Sequence, residues 1–90
     1  MSIHSGQQCF LAFSRKLHLK DASMMSLETL LFMSSQELWS GCQAKMAMIH
    51  SSLSRIGIGV LFQRLVRDRA GGVKWVGVHA VPWNQLEAEL

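Results

Sequence analysis

Ile58, Leu61, Phe62, Leu65 and Val66 recur at i, i+3, i+4, i+7 and i+8. That spacing gathers apolar side chains on one stripe of a 3.6-residue helix. Gln63, Arg64, Arg67 and Asp68 fall on the other side. Arg67 and Arg69 come at the end, where a cation meets the negative pole of a helix, and Gly71-Gly72 follows as a stop signal. The pattern predicts a helix over about 58–70.

A second helical region is predicted over about 23–50. Asp21 to Ser23 supply capping residues, and Leu27, Leu30 and Leu31 form an apolar triplet. Ser34 and Glu37 match a capping box, with Met33 and Leu38 as its hydrophobic staple. Beyond them Leu38, Cys42, Met46, Ile49 and Leu53 continue at helical steps. Ser51, Ser52, Ser54, Gly57 and Gly59 place a connection near 51–57.

Two segments read differently. The Val-rich run 73–81, which includes Trp75, predicts a strand. Residues 9–19 fit both periods: Cys9, Leu11, Phe13, Leu17 and Leu19 alternate as in a strand, while Phe10, Phe13 and Leu17 share a helical face. The fold expected is therefore mainly α, a single small domain with two helical regions and a C-terminal strand. The alternative is α+β, with 9–19 paired to 73–81. Pro82 suits the first position of a last short helix carrying Trp83, Leu86 and Leu90 on one side.

Composition limits what such a domain does. The 90 residues are 49 % hydrophobic and 17 % charged, against about 25 % charged in an average soluble domain. This fits a chain that buries surplus apolar surface against a protein partner or in a homo-oligomer. It also fits a reading frame with no evolved function. The charge is localised. Residues 55–74 hold Arg55, Arg64, Arg67, Arg69 and Lys74 against Asp68, so five minus one gives +4; the rest hold four bases and five acids, giving −1. These five cations are the candidate anion contacts, for nucleic acid or for a membrane surface of lipid headgroups.

Chemistry is poorly represented. His4, Cys9, His18, Cys42, His50 and His79 are not paired at metal-ligand spacing. There is no nucleophile elbow, and Gly57-Ile58-Gly59 lacks the rest of a phosphate loop. Neither an enzyme nor a metal or other cofactor is expected. Cys9 and Cys42, outside any CxxC, read as free thiols of a reducing intracellular compartment rather than a secreted protein. The first twenty residues lack acids and carry Arg15, Lys16 and Lys20, a composition similar to that of a mitochondrial transit peptide.

Phe62-Gln63, Arg67 and Trp75 resemble part of an IQ motif, which implies a helix bound by calmodulin-like proteins. The chain departs from that pattern at Asp68 and at Gly72, and Gly71-Gly72 would interrupt the helix.

Overall fold

The structure, a computed structural model, describes residues 5–19, 25–50 and 56–89. Its elements are α1 (Ser5–Leu19), α2 (Leu27–Ser35), β1 (Cys42–His50), β2 (Ile56–Arg67), β3 (Val73–Pro82) and α3 (Trp83–Glu87). The strands form one antiparallel sheet in the order β1-β2-β3. The architecture is α+β, which corrects the mainly α expectation and the description of the protein as helical.

The largest correction is β2. The predicted helix 58–70 is a strand up to Arg67, followed by a tight turn. Its stripe divides between two faces: Val60 and Phe62 are buried beneath the helices, while Leu61 and Leu65 alternate onto the opposite side. Gly71-Gly72 closes a hairpin rather than a helix. Asp68 N–H donates to the Gly72 carbonyl, Gly71 N–H donates to the Asp68 carbonyl, and the Asp68 carboxylate accepts from Gly72 N–H at 2.7 Å. Gly71, at φ 87°, supplies the left-handed residue this turn requires. With the helix goes the structural basis of the partial IQ resemblance.

The second helical region is likewise shorter than predicted. α2 begins after Ser26, whose hydroxyl caps Thr29 N–H, and buries Leu27, Leu30, Leu31 and Ser34. It ends at Ser35 instead of restarting at Ser34. Ser40 and Gly41 then both take positive φ, and Cys42 N–H donates to the Trp39 carbonyl. That turn launches β1, so the 42–50 part of the expected helix is a strand. Asp21 to Ser23 lie outside the described residues.

Residues 9–19 belong to α1, so their pairing with 73–81 as a strand is excluded. Gly6, Cys9, Phe13 and Leu17 form its buried stripe at steps of three and four. The strand expected at 73–81 is present as β3, paired with β2. α1, α2 and α3 all pack on one face of the sheet. There Phe13 contacts Phe62 and Trp39, with ring centroids 5.3 and 5.4 Å apart, and Leu86 joins Val60 and Val81 in the core.

Cys9 and Cys42 form a disulfide that ties α1 to the start of β1, with Cα atoms 5.3 Å apart. Both sulfurs sit in the core, which corrects the expectation of free thiols. Nearby, Lys16 pairs with Glu37 at 2.7 Å and lies over the Trp39 ring. Among the described residues, no helix is long and apolar enough to cross a membrane.

Candidate functional site

The hairpin between β2 and β3 gathers much of the positive charge. Arg67 stands opposite Val73, Lys74 stands opposite Val66, and Arg69 is in the turn. All three are exposed. Arg64 is on the helix side of β2, the same face as Lys74 and diagonal to it, whereas Arg67 is on the other face. The Arg64 guanidinium donates to Gln8 Oε1 at 2.7 Å, so part of its hydrogen-bonding capacity is held by α1. Arg55 lies outside the described residues.

The other surface is the sheet face turned away from the helices. Leu61, Gln63 and Leu65 follow one another on this face of β2, with Gln43 and Lys45 beside them on β1, Trp75 and Ala80 on β3, and Ile49 farther along opposite Gly57. Leu65 stands directly opposite Trp75, and Leu61 lies between Lys45 and Ala80. Leu61, Leu65, Ile49 and Trp75 are each half-buried, with no described element above them. Lys45 and Arg67 are the charged strand positions on this face, and no strand position there is acidic.

Among the described residues no three His, Cys, Asp or Glu side chains converge on a point that would hold a metal ion. Cys9 and Cys42, two of the candidate ligands, are bonded to each other. His79 lies against the Phe10 ring under α1.

The sequence places Arg64, Arg67 and Arg69 on one predicted helix, with Arg55 in the connection before it and Lys74 in the strand after it. The hairpin instead brings Arg67, Arg69 and Lys74 to one end of the sheet, with Lys74 and its diagonal neighbour Arg64 on the helix side and Arg67 on the other. Sequence reasoning missed the apolar face altogether, because that face exists only if 58–67 is extended. The available signal was the alternation of Gln43 and Lys45 with Cys42, Ala44 and Met46 on β1.

Compared with models of known protein families, with curated proteins and with solved structures, the chain matches none.

Proposed function

We propose that the chain is a non-enzymatic interaction module that buries the open face of its sheet against another protein. One observation carries this reading. Among the described residues all three helices lie on one side of the sheet, and the opposite side carries Leu61, Leu65, Ile49 and Trp75 with no acidic strand residue beside them. A half-covered antiparallel sheet ordinarily alternates apolar inside with polar outside. Here the open side keeps Leu61, Leu65 and Trp75 among Gln43, Lys45, Gln63 and Arg67, and large apolar side chains left on an uncovered sheet face mark an interaction site.

The test compares stoichiometric partners recovered from native lysate by wild-type protein and by Leu61→Lys and Leu65→Lys, with sizing of each eluate. A defined complex formed by the wild type and lost in both folded variants supports the reading. A complex retained by both variants overturns it.

A second reading is favoured by the grouping of Arg67, Arg69 and Lys74 at one hairpin. An anionic surface, either nucleic acid or lipid headgroups, would meet those cations first. Such binding weakens steeply with salt, because it releases condensed counterions. Absence of binding to duplex DNA, RNA and anionic vesicles at about 50 mM salt would eliminate this second reading.

A further inference from the structure

The two edges of the sheet are unequal. β3 is protected in the ways that edge strands usually are: Gly77 makes a bulge, Pro82 ends the strand, and Lys74 adds charge. β1 has neither the bulge nor the proline, and its single lysine is no more charge than β3 carries. It pairs with β2 without a break from Cys42 to His50, contains no proline, and carries Lys45 as its one Lys, Arg, Asp or Glu. Among the described residues only its beginning is covered, where Trp39 bridges to Cys42 on the outer side.

That bridge also fixes the direction of the backbone groups. Cys42 N–H points outward to Trp39. In an antiparallel ladder the inward and outward groups alternate, so the amides of Ala44, Met46 and Met48 point outward as well. The side chains of the last two are also uncovered: Met46 is 42 % and Met48 69 % exposed, and beside them on α2 Phe32 is 68 % exposed. A groove of about 180 Å³ runs between α2 and this edge, lined by Glu28, Leu31, Phe32, Ser35, Ala44 and Met46. A volume of that order takes an apolar group the size of benzene.

We infer that the β1 edge pairs with the β1 edge of a second copy, forming a continuous six-stranded sheet in a twofold dimer. Isologous pairing requires a strand that complements itself, and β1 does so about Ala47. The register centred there uses residues 44–50, the part Trp39 leaves open. It sets Met46 opposite Met48 of the copy and Met48 opposite Met46. These residues exchange outward hydrogen bonds, and their four side chains cluster on the helix side next to the groove. Lys45 faces Ile49 of the copy, so the two lysines are not opposed. A register centred on Lys45 would oppose them directly, and one centred on Met46 would bring them diagonal. Charge placement and the covered start of the strand therefore select the same register. This edge and the open face are separate surfaces, and each can be tested without the other.

The experiment is sedimentation of the oxidised full chain from about 1 to 100 µM, with amide exchange followed at both ends of that range. A reversible dimer is expected, with exchange at Ala44, Met46 and Met48 slowing as it forms. Met46→Lys with Met48→Lys should weaken the dimer at least about tenfold, whereas Leu65→Lys on the open face should not. Circular dichroism confirms that each variant is folded. If the double variant fails to fold, wild-type amide exchange alone decides. A monomer across the whole range overturns the inference. So does a dimer that survives the folded double variant, or one in which those three amides exchange at the monomer rate.

Discussion

Gly6 in the first turn of α1 lies directly against Gly77 in the bulge of β3, with no side chain between them. A Cβ on Gly6 would strike the Gly77 carbonyl and the backbone and side chain of His79, and one on Gly77 would strike Ser5 and the Gly6 amide. Gly77 also needs its φ of 70°, because β3 has one residue more than β2 between the pairs Phe62–His79 and Arg64–Val76. The bulge turns the strand, and the paired glycines let α1 settle on it closely enough for Phe10 and Phe13 to reach Phe62.

Gly6→Ala is accordingly expected to lower stability by roughly 1–3 kcal/mol, the usual cost of overpacking a close contact. Gly57→Ala is the control, since its Cβ would meet nothing and its backbone needs no positive φ. It should be neutral, or stabilising by up to about 1 kcal/mol through the unfolded chain. Denaturant unfolding of the two variants beside the wild type checks both. Equal behaviour would show that α1 does not sit flush on β3.

The Cys9–Cys42 disulfide closes a loop with a sequence separation of 33. In the chain-entropy treatment such a loop contributes about 3–4 kcal/mol. A 90-residue domain has a total stability of only about 5–15 kcal/mol, so the bond is a large share of it. Reduction with a dithiol should shift the urea midpoint sharply downward, and Cys9→Ser with Cys42→Ser should reproduce that shift under oxidising conditions. Intact-mass measurement before and after alkylation shows whether the purified chain carries the bond. A protein equally stable in both redox states would mean the link does not constrain the unfolded chain as this topology requires.

Part of the fold was legible, in α2 and β3, whereas the mainly α reading failed at β1 and β2. The core of α2 follows from Leu27, Leu30 and Leu31, and β3 from its run of valines. β2 was illegible because it is apolar on both faces. Ile58, Phe62 and Val66 are on one side, and Leu61 and Leu65 on the other; merged, they have the spacing of a helical stripe. The same glycine pair serves as a helix stop or a hairpin turn, and only long-range pairing distinguishes them. Of the candidate site, the closeness of Arg67, Arg69 and Lys74 was legible, since a tight turn preserves local neighbours. The open face was not, because it depends on strands brought together from 42–50, 56–67 and 73–82.

Replacing Arg64, Arg67 and Arg69 together by Gln tests the basic hairpin. The three side chains are exposed, and exposed charges contribute little to stability, so thermal unfolding should change little. Wild-type protein is expected to bind duplex DNA, RNA or anionic vesicles weakly near 50 mM salt and to release them near 150 mM, on the basis of net charge. If a true phosphate site is present, the slope of log K against log salt on duplex DNA falls by about 0.9 for each phosphate that the variant no longer neutralises. Binding unchanged in the triple variant would place any anion site elsewhere.

Phe62 and Leu65 are three residues apart on one strand, and they should respond very differently to substitution. Phe62 is fully buried between Phe10 and Phe13, with ring centroids 5.2 and 5.3 Å away. Phe62→Ala leaves a void among rings that are held in place by α1, and it should cost about 3–5 kcal/mol. Leu65 is half-buried on the open face, opposite Trp75. A carboxylate placed there keeps its hydration by pointing into solvent, so Leu65→Asp loses only part of the burial of one leucine, about 1 kcal/mol. Denaturant midpoints of the two variants decide the matter. If Leu65→Asp proved as damaging as Phe62→Ala, the face would be covered within the chain itself, and the interaction surface would have to be sought elsewhere. If Leu65→Asp folds, it carries a charge into the middle of the proposed interface without harming the core. Loss of complex formation in that variant would then report on binding alone.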